Sequence, residues 1–184
     1  MRTAQTTYGD ELRWILAQGP ENEWMPLAGE LPVRVEVEEK IRGLGAKRLF
    51  PGARHPEAAL SGLWLYFSQL DASHKISQTL HTPEGSFWHG IMHRREPDAG
   101  NAGYWFRKVN RHEVFPALWA TAGEAISRYP GLSYSLGKQW DPFVFIEYCE
   151  NARQRPGSDE EKLAMELQMA EWQILFDYCA GPAR

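Results

Sequence analysis

The sequence has few cysteines and no long apolar segment. Its 184 residues include two cysteines, which excludes a small secreted scaffold held by several disulfides. No segment approaches the ~20 apolar residues of a membrane-spanning helix, and residues 1–20 lack the apolar run of a signal peptide. We therefore expect a soluble, cytoplasmic protein without a membrane partner. Cys149 and Cys179 are expected to be buried free thiols, with a disulfide or a reactive thiol as the alternative.

An overall excess of positive charge is also missing. The formal net charge is −4, whereas a protein that binds nucleic acid over a broad face normally has the opposite balance. We expect no nucleic-acid partner. Residues 89–112 (HGIMHRREPDAGNAGYWFRKVNRH) nevertheless carry five basic and two acidic side chains. Such local positive charge in an acidic chain suggests a small anionic ligand, or pairing with acids elsewhere.

The sequence further lacks a sustained alternation of apolar and polar residues. Val33, Val35 and Val37 alternate as in a strand, but Val37, Ile41 and Leu44 also follow helical spacing. A lone strand would have no partner, so we favour a helix over 33–44. The hydrophobic content of 43% and the eight tryptophans are enough for a core. The sequence thus predicts a single all-α domain over 1–184, a compact multi-helix bundle with a partly irregular N-terminal segment over 1–32. Its oligomeric state is left open.

Two long helices form the predicted centre of the bundle. An apolar stripe at helical spacing begins after Pro56 and predicts a helix over about 57–80. Thr82 as N-cap and Pro83 in the first turn begin the next helix, over 83–95. A short link makes antiparallel neighbours, so the pair is predicted to form a helical hairpin. Helices are also predicted at the following places: 10–18, after an Asp98 cap, 113–129 with a kink or restart at Pro116, 142–153 after an Asp141 cap, and 160–179 with Ser158 or Asp159 as cap.

Histidines and an aspartate are predicted to converge in this hairpin. His89 and His93 are four residues apart and share one helix face. With the hairpin centre at 81–82, His74 lies level with His89, and Asp71 lies level with His93. The predicted metal ligands are thus His74, His89, His93 and Asp71. This set could bind zinc, iron or manganese and leave a position for water.

Other polar residues define alternative uses of the same region. Gly90 occupies the position of the glutamate in an HExxH motif, so a metalloprotease is not favoured. The candidate catalytic residues are His89 and His93 as acid or base groups and Glu96 or Asp98 as the base of a metal-assisted hydrolase. A metal-free site would instead bind a phosphate or carboxylate. The candidate ligand-binding residues are Arg94, Asn101, Tyr104 and Arg107, with Lys108 and Arg111 nearby.

A purely structural role is the competing hypothesis. In a buried polar network His89 or His93 could donate to Asp71, and Arg94 could pair with Glu96 or Asp98. The stretch EPDAGNAGYWFRKV also loosely resembles part of a tetratricopeptide-type helical hairpin, although no second copy is present. The protein would then be a non-enzymatic interaction or regulatory module. Whether it is an enzyme therefore stays open at this point.

One longer stretch supports a resemblance to a known family. Within residues 61–118, the string WHGIMHRRE-x-D-x-x-NA-x-YWFR resembles a family of uncharacterised bacterial all-α proteins with looser relatives in fungi. The stretches WDPFVFIEYCE and EWQILFDYC also resemble that family. Because the family has no established activity, the resemblance implies relatedness and no catalytic assignment.

Overall fold

The computed structural model describes residues 8–19 and 24–183. Over these ranges it contains nine α-helices and no strand, which confirms the all-α prediction. In chain order the helices are α1 (Asp10–Leu16), α2 (Val35–Leu49), α3 (Pro56–Tyr66), α4 (Leu70–Ser77), α5 (Pro83–Arg95), α6 (Ala99–Val109), α7 (Phe115–Ser127), α8 (Pro142–Arg153) and α9 (Asp159–Ala180). Residues 24–34 precede α2 without a helix, but 1–7 and 20–23 of the predicted N-terminal segment lie outside the described residues.

Local capping explains where most of these helices begin. The side chains of Thr82, Asp98, Asp141 and Ser158 each accept a hydrogen bond from a backbone N–H in the first turn of the helix that follows. Such bonds satisfy N–H groups that have no partner inside the helix. The predicted starts are therefore confirmed at these four helices, and the helical interpretation of 33–44 is confirmed by α2.

The predicted antiparallel hairpin is present, but its first arm is interrupted. Ser77 contacts His89, while Leu65 contacts Arg95, so residue numbers fall along one arm as they rise along the other. The single helix predicted over 57–80 is wrong, because the chain leaves the helical path at 67–69 between α3 and α4.

A buried arginine accounts for this interruption. Arg95 is fully buried and donates from Nη1 to the backbone oxygen of Leu65 at 2.7 Å and from Nη2 to the hydroxyl of Ser68 at 2.8 Å. Ser68 has a φ of 58°, which lies in the left-handed region of backbone conformation that residues other than glycine rarely adopt. The guanidinium group thus stabilises the end of α3. The apolar stripe in the sequence continues past this point and so does not indicate that the helix ends there.

One hydrophobic core includes residues from all nine described helices. At Gly62, α3, α5 and α9 come into close contact: Trp172 donates from Nε1 to its backbone oxygen at 2.7 Å, and a Cβ added there would lie 2.5 Å from Cζ2 of Trp88. Cys149 and Cys179 are buried and free, as predicted. Among the described helices, none is long and apolar enough to cross a membrane.

Candidate metal centre

Three imidazole rings meet between α4 and α5. Potential ligand atoms of His74, His89 and His93 all lie within 4.8 Å of one another. The centroid of the His74 ring lies 4.7 Å from that of His89 and 5.6 Å from that of His93. The centroids of the His89 and His93 rings are 4.8 Å apart. The one-turn spacing on α5 places two of the rings, and the antiparallel arm α4 supplies the third. The structure therefore brings together three of the four predicted metal ligands.

A chain of hydrogen bonds orients two of these rings. Nε2 of His89 and Nε2 of His93 are 3.1 Å apart, Nδ1 of His89 is 3.1 Å from Oγ of Ser77, and Nδ1 of His93 is 3.0 Å from Oε2 of Glu96. One proton arrangement satisfies all three bonds: Ser77 donates to His89, His89 donates from Nε2 to His93, and His93 donates from Nδ1 to Glu96. Both rings are neutral in this arrangement, and the Nε2 lone pair of His93 faces the cluster.

Burial keeps His89 neutral. The residue is 2% exposed. Desolvation, followed by the neighbouring His93, His74 and Lys108 charges, lowers the pKa of His89 to about 3. Because only a neutral imidazole offers a lone pair to a metal ion, the ring is available as a ligand throughout the physiological pH range.

Helix α6 covers one side of the cluster with an aromatic and a cationic side chain. The indole of Trp105 stacks on the His89 ring, with centroids 3.9 Å apart and planes inclined by 29°. Nζ of Lys108 lies 4.2 Å from the centroid of Trp105 and 4.6 Å from that of Tyr104. Helix α6 thus places the half-buried Trp105 against the cluster and the exposed Lys108 beside that indole.

The fourth predicted ligand, Asp71, lies outside the group of potential ligand atoms. It is exposed in the first turn of α4, where its backbone N–H donates to the carboxylate of Glu30 at 3.0 Å. The prediction assumed one continuous helical register from 57 to 80. The helix instead begins at Leu70, so Asp71 lies in its exposed first turn, where a carboxylate interacts favourably with the helix dipole.

Glu96, Asp98 and Asn101 have structural partners. Glu96 bonds the outer nitrogen of His93, on the side of the ring away from the cluster. Asp98 accepts from the backbone N–H and from the side-chain amide of Asn101 at 2.9 and 2.7 Å, and these bonds lower the pKa of its carboxyl. Asp98 and Asn101 therefore begin α6, while Glu96 orients the ring of His93.

Arg94 lies in the core, and the expectation that it pairs with Glu96 or Asp98 is wrong. Its Nη2 is 2.5 Å from Oε2 of Glu171 on α9, both side chains are fully buried, and its guanidinium lies 4.3 Å from the centroid of Phe145. The positive charge of Arg94 is thus already paired with the carboxylate of Glu171 and does not face an anion-binding site. Of the other predicted ligand-binding residues, Tyr104 is 47% exposed on α6, and Arg107 is exposed beside it.

Ser77 and Trp105 contact the cluster, although neither was predicted as a site residue. Ser77 follows His74 by three residues on the same helix, so spacing alone could have indicated it. Trp105 reaches the cluster from a different helix, α6. Its contact with His89 depends on how α6 packs against α5, which no local pattern encodes.

A second group of histidines surrounds a buried carboxylate. Oε1 of Glu84 lies 3.5 Å from Nε2 of His55 and 3.6 Å from Nε2 of His112. Burial alone would raise the pKa of Glu84, but the neighbouring His112 and His55 lower it to about 2. Nδ1 of His112 accepts from the backbone N–H of Val114 at 3.3 Å, so Nε2 carries the proton. A ring in this state offers no free lone pair to a metal ion, and among the described residues this group is not one that could hold an ion.

Comparisons with known proteins add no further residue to this description. Neither a protein-family model, nor a curated protein, nor a solved structure matches the chain. The function is therefore proposed from the geometry around His74, His89 and His93.

Proposed function

We propose that this protein binds one divalent transition-metal ion, zinc in the first place and iron or manganese as alternatives, through His74, His89 and His93. The observation that carries the proposal is the convergence of their potential ligand atoms within 4.8 Å. Two nitrogens bound to one tetrahedral zinc ion at ~2.0–2.1 Å are separated by roughly 3.3 Å. The Nε2 atoms of His89 and His93 are already 3.1 Å apart, so small side-chain movements suffice for both to bind the ion.

The hydrogen bonds around the cluster support this proposal. His93 already donates from Nδ1 to Glu96 and needs no change of tautomer. His89 must move its proton from Nε2 to Nδ1, where it can donate to Ser77. The Ser77 hydroxyl can then donate to the backbone oxygen of His74, which lies 3.4 Å away. Loading the ion therefore leaves none of these polar groups without a partner, and both outer nitrogens keep the bonded groups that orient metal ligands.

A zinc ion with three imidazole ligands keeps one position for water. Zinc lowers the pKa of bound water to about 7 and so provides a nucleophile near neutral pH. We accordingly assign the protein to metal-assisted hydrolysis of a small molecule. The cytoplasm is the compartment proposed, because buried free thiols such as Cys149 and Cys179 persist in reducing surroundings.

Metal content and ligand substitution test the proposal. Protein purified without a nickel column is expected to bind one zinc ion per chain, measured by elemental analysis and equilibrium dialysis. His89→Ala and His93→Ala are each expected to weaken zinc binding by more than the ~10–100-fold that follows loss of an outer partner. His81→Ala is the matched control, because His81 is exposed in the loop between α4 and α5. Substoichiometric zinc that His89→Ala leaves unchanged would contradict the proposal.

The outer partner of His93 gives a second, smaller prediction. Glu96→Gln is expected to weaken zinc binding by about 10–100-fold, because the neutral amide orients the ring less strongly and makes it less basic. Glu57→Gln, which changes an exposed carboxylate in the first turn of α3, serves as the control in the same titration. Equal affinities for the two variants would show that Glu96 does not support the centre.

A second candidate function is that of a non-enzymatic helical interaction or regulatory module. It is favoured by one observation, namely that the chain from Ser77 through His89 and His93 to Glu96 is complete without an ion. A satisfied buried network can hold two helices in register. The same dialysis experiment separates the candidates, since this function predicts no stoichiometric metal in the native protein.

A further inference from the structure

The charge of the proposed ligands determines which substrate the centre can hold. All three are imidazoles and contribute no negative charge, so a bound divalent ion keeps its full charge. Asp71 lies outside the ligand group, and Glu96 is already bonded to His93. A cation in this position would be the largest local charge, and the carboxylate of Glu96 would lie one ring away from it rather than bind it. The fourth position therefore favours a negatively charged ligand over a neutral one.

Lys108 adds a second positive charge at the same side of the hairpin. Its ammonium lies over Trp105, and Trp105 stacks directly on His89. The contact with Trp105 fixes the region in which the ammonium lies but does not neutralise it.

No acidic side chain neutralises Lys108 within the part of the chain that the structure describes. The ion pairs found there involve neither Lys108 nor its neighbours Arg107 and Arg111. The exposed side chain of Lys108 has a flexible four-carbon stem, and a role at the centre requires its ammonium to move from the indole toward a ligand above His89.

We propose that the loaded centre binds an oxyanion, a carboxylate or phosphate group, with one oxygen on the metal ion and another accepting from Lys108. This inference rests on the proposed function, because it requires the ion held by His74, His89 and His93. It assigns the substrate to small anionic molecules. Lys108 is the residue that selects them, since a charge-assisted hydrogen bond from an ammonium is stronger than one from a neutral donor.

Cobalt-substituted protein provides the test. Its visible absorption reports the ligands around the ion, and it would be titrated at constant ionic strength with sodium acetate in one series and inorganic phosphate in another. A saturable spectral change is expected in at least one series, and the series that responds identifies the carboxylate or the phosphate class. Lys108→Met, which keeps an apolar side chain on Trp105, is expected to weaken binding of that anion by roughly 10-fold. Its cobalt affinity should be unchanged.

Arg111→Met is the matched control, because it removes one positive charge two residues beyond α6. Equal losses of anion affinity in Lys108→Met and Arg111→Met would overturn the role of Lys108. Such a result would mean that the positive charges act only by long-range electrostatic attraction. Cobalt binding without a spectral response to either anion would overturn the substrate class while leaving the metal centre intact. Failure to bind cobalt would instead remove the proposed function itself.

Discussion

The Glu171→Ala variant is expected to unfold with a free energy about 3–5 kcal/mol below that of the native protein. Arg94 and Glu171 are both fully buried and form an ion pair between α5 and α9. Removing the carboxylate leaves the guanidinium in the core with only the ring of Phe145 as a favourable contact. Urea denaturation followed by circular dichroism would measure the loss.

Two controls separate the lost pairing from lost packing. Glu38→Ala breaks an exposed ion pair with Arg42 and is expected to change stability much less, because such pairs are screened by solvent. The double variant Arg94→Met with Glu171→Leu replaces both charges by apolar side chains and is expected to recover most of the stability. If Glu171→Ala and Glu38→Ala gave similar losses, the buried pair would not be stabilising α5 against α9.

Zinc is expected to raise the free energy of unfolding by about 4 kcal/mol when its free concentration is about 1,000 times its dissociation constant. The native protein holds His74 beside His89 and His93, whereas the unfolded chain does not bring these residues together. Binding to the native state alone therefore shifts the equilibrium toward it. For a chain of this length the midpoint of thermal unfolding should rise by roughly 10 °C.

Two controls test whether the rise in the midpoint of thermal unfolding depends on the histidine ligands: a different metal ion and a ligand variant. Magnesium prefers oxygen ligands and is expected to leave the midpoint unchanged. His74→Ala should gain less from zinc than the native protein does, since two ligands remain in place of three. A midpoint that zinc does not move would contradict the metal centre and favour the structural role of the hydrogen-bonded chain.

The features predicted correctly are those encoded within a few residues. Thr82, Asp98 and Asp141 cap the helices that follow them, because a short polar side chain reaches the N–H groups of the next turn. The meeting of His89 with His93 needs only one helical turn. That His74 joins them follows from the short link at 81–82, which makes the two arms antiparallel.

The features that were missed depend on distant parts of the chain. The break at 67–69 is stabilised by Arg95, which belongs to α5, so the stripe of apolar residues in α3 and α4 gives no sign of it. The partner of Arg94 is Glu171, 77 residues away, and many exposed acids were equally plausible partners from the sequence alone.

Arg94 and Arg95 have a consequence for how α5 presents its histidines. The two adjacent guanidinium groups reach opposite neighbours, one toward Glu171 on α9 and the other toward Leu65 and Ser68 at the end of α3. Rotation or sliding of α5 would strand at least one cation in an apolar interior. The backbone positions of His89 and His93 are consequently fixed by α5 itself, and an ion bound at the proposed centre would cost little conformational entropy.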